Sequence, residues 1–152
     1  MILVRLFCLS CLFLLLLPGC SGEPAQPQQI ARPTIPTPNA GMSIVSGQVV
    51  SSNTQAPIKD TYVYLAKVFW NAAHTEAAFA VDVSRSPVAK TDQNGFFSLT
   101  QVEPSEYVLV VGDYYGANAP VREKSGDARI YKTEMNKVLD VGTVPVELAI
   151  AK

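Results

Sequence analysis

A short turn between alternating apolar runs constrains this chain more than any other feature. Asp92-Gln93-Asn94-Gly95 is typical of a tight turn, because glycine adopts a left-handed backbone without steric cost. Phe97 and Leu99 follow at period two, and Tyr107, Leu109 and Val111 repeat that spacing after a Pro-Ser turn. The pattern predicts a hairpin over residues 90–99 and an order of strand, turn, strand, turn, strand across residues 90–111.

The flanking segments continue the β pattern. Residues 44–50 and 61–66 read as strands; in the second, Val63 and Leu65 point inward and the tyrosines outward. Residues 129–131 and 138–144 are predicted to form a final pair of strands, and residues 146–150 to extend the sheet as a trailing edge strand. Residues 112–125 are predicted to be a surface loop. Residues 71–80 allow either one or two helical turns or a long loop. The whole predicts an all-β sandwich of about seven strands.

The first twenty residues carry a different signal. One positive charge, Arg5, precedes an apolar run over residues 6–17. Twelve helical residues reach about 18 Å, well short of a hydrocarbon core of roughly 30 Å, so the run predicts a signal peptide rather than a spanning helix. Leu17-Pro18-Gly19-Cys20 resembles the lipobox of bacterial lipoproteins. That resemblance implies cleavage before Cys20 and attachment of acyl chains such as palmitate to it.

The anchor sets the expected location and domain boundaries. Two or three acyl chains would hold the protein at a membrane. Ser21 after the cysteine implies the outer membrane in a diderm, or the external face of the cell membrane in a monoderm. We expect the signal peptide over residues 1–19 and a lipidated, proline-rich flexible linker over residues 20–42. The folded domain is expected over residues 43–152.

A second resemblance lies within that domain. Val45-x-Gly47-x-Val49, Thr91-Asp92-x-x-Gly95-x-Phe97-x-Leu99 and Pro104-x-Glu106-Tyr107-x-Leu109-x-Val111 together resemble the carboxypeptidase regulatory-like domain. The resemblance implies a transthyretin-like Greek-key β-sandwich and specifies a fold rather than an activity.

Chemistry-bearing residues are few. No cysteine follows Cys20, and His74 is the only histidine, so a zinc site of imidazole and thiolate ligands cannot be built. Asp82, Asp92 and Asn94 lack the pattern of a calcium loop. Lys and Arg number 12 against 13 Asp and Glu, which argues against nucleic acid as a partner. We expect no catalytic residues, no metal and no cofactor.

Aromatic residues are the remaining candidates for ligand contact. A surface gathering of aromatic rings would stack against sugars or meet a protein, although core packing explains such residues as well. The candidates are Tyr62, Tyr64, Trp70, Phe96, Tyr114 and Tyr115. The sequence therefore predicts a lipid-anchored, non-catalytic envelope module for structural or adhesive contacts with an unknown envelope protein. The alternative is a carbohydrate-binding or enzyme-accessory module that contacts a glycan.

Overall fold

The computed structural model describes residues 31–148, and the predicted signal peptide, Cys20 and the last four residues lie outside this range. The described chain is all-β and contains nine strands rather than seven. They are β1 (Ser43–Ser51), β2 (Tyr62–Trp70), β3 (Ala77–Ala80), β4 (Val88–Lys90), β5 (Phe96–Val102), β6 (Glu106–Gly112), β7 (Asn118–Pro120), β8 (Ile130–Lys132) and β9 (Val138–Val146). No helix among the described residues is long and apolar enough to cross a membrane.

The strands form two sheets. The three-stranded sheet has the order β5-β1-β9, in which β1 pairs antiparallel with β5 and parallel with β9. The six-stranded sheet is built on β2 and β6, with β3 and β4 along one edge and β7 and β8 along the other. The two sheets stack as the β-sandwich that the alternation predicts.

The core lies between the sheets. Val45 and Val49 of β1 face Val63 and Leu65 of β2, all with no exposed surface, as the period-two pattern predicts. The remaining buried members come mainly from β5, β6 and β9, among them Phe97, Leu99, Leu109, Val111 and Val144. The described domain contains no cysteine, so this apolar packing is what holds the sheets together.

The predicted hairpin over residues 90–99 is wrong in its pairing. The turn forms as expected, with Gly95 at a φ of 77°. However, β4 before it pairs with β2, whereas β5 after it pairs with β1 in the other sheet. The turn therefore carries the chain across the sandwich. The predicted final pair is wrong for the same reason, because β8 joins β6 and β9 joins β1.

Two loop predictions also change. Residues 71–80 form no helix: β2 continues to Trp70, turns, and pairs with β3 from Lys67↔Ala80 to Trp70↔Ala77. Asn71 stabilises this turn, because its side chain accepts the N–H of Thr75 and donates to the Thr75 hydroxyl, both at 2.9 Å. Within residues 112–125, the segment Asn118–Pro120 is strand β7 and pairs with β6.

Residues 31–42 contain no strand, yet part of this segment lies on the domain. We call residues 32–39 the strap. Arg32 forms an ion pair with Asp140 of β9 and places its guanidinium 5.9 Å from the Phe96 ring centroid. Further along, Pro36, Thr37 and Asn39 lie beside Ile44 of β1, which is 2% exposed. The strap thus covers the face of the three-stranded sheet that points away from the core.

Candidate binding surface

The six-stranded sheet is apolar on both faces. Side chains that alternate with the core residues of β2 point to the other side, which we call the outer face; along β2 they are Tyr62, Tyr64, Ala66, Val68 and Trp70. On β6, Val108 and Val110 lie opposite Ala66 and Tyr64. A sheet with one solvated face ordinarily alternates apolar and polar residues. The outer face has the composition of a covered surface.

The centre of the outer face is a small second core. Ala66, Val68, Val108 and Val110 are at most 8% exposed, and Val81 and Ala128 from neighbouring segments pack against them. The two ends of the face remain open. At one end Tyr62 and Val88 are 45% and 51% exposed. At the other end the exposed side chains are Trp70, Phe79 and Ile130.

Four of the predicted contact residues meet at the first end. The ring centroids of Tyr62 and Tyr64 are 6.0 Å apart, those of Tyr64 and Tyr114 are 6.4 Å apart, and those of Tyr114 and Tyr115 are 4.8 Å apart. The Tyr114 and Tyr115 planes cross at 87°, which is an edge-to-face contact. The rings therefore form a stepped cluster rather than a flat stacking platform.

Burial affects the chemistry of the innermost ring. Tyr64 is only 9% exposed, beneath Tyr114. Burial first, and then the nearby Asp113 carboxylate, raises the pKa of the Tyr64 phenol above its ordinary value. The ring stays neutral at physiological pH. It acts as an apolar wall with a hydroxyl at its tip.

The second end contains Trp70 and an apolar pocket. The indole N–H of Trp70 donates to Oε2 of Glu106 at 2.6 Å, which fixes the ring, and His74 meets it edge-on at 5.6 Å between centroids. Beside it, a pocket of about 250 Å³ is lined chiefly by Val68, Ala77, Ala78, Phe79, Val108, Ala128 and Ile130. Asp127 is the only charged residue in its lining. Its size and lining suit an apolar side chain.

Sequence reasoning missed several members of this surface. Phe79 and Ile130 were not among the candidate ligand-contact residues, although both share the outer face with Trp70. Period-two alternation through β3 would have identified Phe79, since it lies opposite Val68. Phe96 is the one candidate that lies elsewhere. It is on the far side of the other sheet, 9% exposed beneath Arg32.

Two cations near the outer face are each paired with a carboxylate. Lys90, which lies 6.0 Å from the Tyr62 ring centroid, forms an ion pair with Asp60 at 3.5 Å. Arg129 similarly pairs with Glu123 at 3.3 Å. Asp113 beside Tyr64 and Asp127 in the pocket lining form no ion pair within residues 31–148. The surface is therefore apolar and aromatic, with a slight excess of negative charge.

Groups suited to holding a metal ion do not converge in the part of the chain that the structure describes. Within residues 31–148, no three side chains of His, Cys, Asp or Glu lie together as metal ligands would. Asp92 instead supports its own turn, because Oδ1 accepts the N–H groups of Asn94 and Phe96 at 2.8 and 2.9 Å. Asp82 likewise accepts the hydroxyl of Ser84, a hydrogen bond that lowers the pKa of the Asp82 carboxyl.

Comparisons with known proteins find only distant likenesses. No family model and no curated protein matches this chain. Among solved structures, a Pseudomonas aeruginosa protein proposed to bind carbohydrate matches at 18% identity and a TM-score of 0.42, over 73% of this chain and 98% of its own. The major pilin subunit of Bacillus cereus matches at 15% identity and a TM-score of 0.39, over 75% of this chain and 30% of the pilin. A Cyanothece 9R-lipoxygenase matches at 17% identity and 0.40, over 78% of this chain and 18% of the enzyme. At these TM-scores none carries an argument about the fold or the function of this chain.

Proposed function

We propose that this chain is a lipid-anchored, non-catalytic module of the bacterial cell envelope that binds a protein partner through its outer face. One observation carries the proposal: apolar and aromatic side chains remain 38–51% exposed at both ends of the outer face, although its centre is covered. They are Tyr62, Val88, Trp70, Phe79 and Ile130. Exposed apolar groups gathered on one face are typical of an interaction site. Trp70 with the adjacent pocket would supply one anchor of the contact, and the tyrosine end would supply the other.

The chemistry of the surface favours one class of partner. Val68, Val88 and Ile130 offer no hydrogen bonds to sugar hydroxyls, and the tyrosine rings do not form a flat stacking platform. An anionic membrane or a nucleic acid would require unpaired cations, whereas Lys90 and Arg129 are paired. The occupant we propose is therefore a protein that presents an apolar patch without excess negative charge and with a protruding apolar side chain.

A paired substitution tests this surface. Val88→Glu places a charge at the tyrosine end of the outer face, and Val83→Glu is the matched control, since Val83 is similarly exposed at 52% but lies in the loop after β3. A charge buried in an apolar interface should reduce partner capture by about tenfold or more. The measurement is quantitative capture from envelope extracts with the lipidated full chain as bait.

The outcomes separate the alternatives. Loss of a specific partner with Val88→Glu but not with Val83→Glu supports the proposal. Equal capture by both variants contradicts it. Concentration-dependent dimers abolished by Val88→Glu would identify a second copy as the occupant, and binding to lipid vesicles would identify a membrane. A glycan panel run in parallel tests the carbohydrate alternative, which the stepped tyrosine cluster would serve.

Lipid anchoring is a separate element of the proposal and has its own test. Cys20 is the residue that we expect to carry the acyl chains. Cys20→Ala should release the protein from the membrane fraction of cells, because the acyl chains supply its hold on the bilayer. Cys11→Ala, within the predicted signal peptide, is the control and should leave the protein membrane-bound. A Cys20→Ala protein that remains processed and membrane-bound would contradict the anchor.

A further inference from the structure

The space between the strap and the three-stranded sheet is a second cavity, remote from the outer face. It has a volume of about 260 Å³. Pro33 and Ile35 of the strap form one wall, and Phe96 with Phe97 forms another. A cavity of 150 Å³ accommodates benzene, so this space suits one substituted six-membered ring.

The floor of the cavity contains a polar group with no partner. Ser46 of β1 lies opposite Ser98 of β5 and Asp140 of β9, on the side that the strap covers. Ser46 is 4% exposed, and its hydroxyl makes no hydrogen bond with any described residue. A buried hydroxyl without a partner costs about 1–3 kcal/mol, so the Ser46 hydroxyl calls for a partner such as water or a bound molecule.

Other polar groups stand around the same space. Asp92 lines it and uses only Oδ1 for its turn, which leaves Oδ2 without a hydrogen bond among residues 31–148. Thr34 in the strap and Ser98 on the sheet also line the cavity. Arg32, at its cover, is neutralised by Asp140, and Lys90, which also lines the cavity, is paired with Asp60 at 3.5 Å. The site therefore combines apolar walls with hydrogen-bonding groups on several sides and has no unpaired cation for an anionic ligand.

From this arrangement we propose that the strap cavity binds a single neutral pyranose residue. The apolar face of such a ring would lie on Phe96, and its hydroxyls would donate to Asp92 and exchange hydrogen bonds with Ser46. A phenol of similar size has one hydroxyl and would leave most of the polar groups unpaired. This site does not depend on the outer face or on its partner.

The test uses the ¹⁵N-labelled full chain in detergent micelles, titrated with methyl glucoside, methyl galactoside, methyl mannoside and, separately, p-cresol. A glycoside should shift the amide signals of Ser46, Gly47 and Phe96 and leave those of Tyr62 and Val88 unchanged. Ser46→Val removes the hydroxyl and fills part of the cavity, and should weaken binding by about tenfold or more. Arg32→Ala lies outside the sandwich, so it tests the cover without threatening the fold, and should also weaken binding.

Three results would overturn the site: no shift with any glycoside, equal binding by wild type and both variants, or binding of p-cresol in preference to all glycosides. Val88→Glu serves as the control and should bind the glycoside as the wild type does. A failure here leaves capture by the outer face unaffected, so the two proposals are tested independently.

Discussion

Gly95 shows how one residue determines where the chain crosses between sheets. Its φ of 77° lies in the left-handed region, and its carbonyl accepts the N–H of Val49 at 2.8 Å. A Cβ on Gly95 would lie 2.4 Å from the carbonyl oxygen of Val49. The turn therefore needs glycine for two reasons, backbone conformation and close approach to β1.

Gly95→Ala should consequently lower the free energy of unfolding by about 3 kcal/mol, because it combines left-handed strain with a clash against backbone. Gly126→Ala is the matched control: Gly126 has a φ of 96°, but a Cβ there meets nothing within 4 Å. We expect the free energy of unfolding of this control to fall by only about 1 kcal/mol. Urea denaturation of both variants gives the comparison, and equal losses would show that the contact with Val49 is unimportant.

At the scale of elements, β2 extended by the β2–β3 hairpin organises the outer face. Trp70 ends β2, and Phe79 on β3 lies opposite Val68, so both strands of the hairpin contribute side chains to one apolar surface. The turn depends on Asn71, whose side chain makes two hydrogen bonds to Thr75. The position of Phe79 thus follows from an asparagine eight residues earlier.

Asn71→Ala should lower the free energy of opening this hairpin by about 1 kcal/mol while leaving the core intact. Amide hydrogen exchange at Ala78 and Ala80 should accelerate, whereas exchange at Leu65 and Leu109 should not change. Asn53→Ala is a suitable control, since the Asn53 side chain makes no hydrogen bond within the described residues. Uniform acceleration throughout the domain would show that the hairpin does not open separately.

Local pattern predicted the inward residues of β1, β2, β5 and β6 correctly, because period-two alternation depends only on the strand itself. It did not predict partners. An Asp-x-Asn-Gly turn has the same local chemistry whether the next strand pairs with the previous one or crosses to the other sheet. The strand at Ala77–Ala80 was missed because alanine has little β preference, and its pairing with β2 decides its conformation.

For the whole molecule, the strap makes the two sides of the sandwich different. One side of the three-stranded sheet is covered by residues that composition alone predicts to be solvated, so the burial of Phe96 could not have been foreseen. The tyrosine cluster could not be predicted from the sequence either, because tertiary structure brings Tyr62 and Tyr114 together. For these aromatic residues the sequence left both a surface gathering and core packing open.

The strap should respond to acid. The backbone N–H of Gly142 first, and then Arg32, lower the pKa of the Asp140 carboxyl below its ordinary value. A lowered folded pKa contributes stability above the unfolded pKa, and this stability is lost as pH falls through the folded value. Asp140→Asn should therefore reduce the free energy of unfolding at neutral pH, and the difference from wild type should begin to shrink below about pH 4 and disappear once the pH is below the lowered folded pKa.

Because the Asp140 side chain is 45% exposed, we expect the effect to be less than about 1 kcal/mol. Asp127→Asn, at an exposed position remote from the strap, is the control and should show no comparable loss at neutral pH. A difference between Asp140→Asn and wild type that persists at low pH would mean that charge is not what holds the strap.

The parallel pairing of β1 with β9 has a consequence for how the chain is made. Ile44 lies beside Val138 and Ser51 beside Val146, so the central strand of the smaller sheet waits for β9, which is synthesised much later. Loop closure over the intervening residues must precede that pairing, which makes assembly slow. A nascent chain would thus stay open until β9 has emerged, and such a delay is compatible with passage through a membrane pore in an extended form.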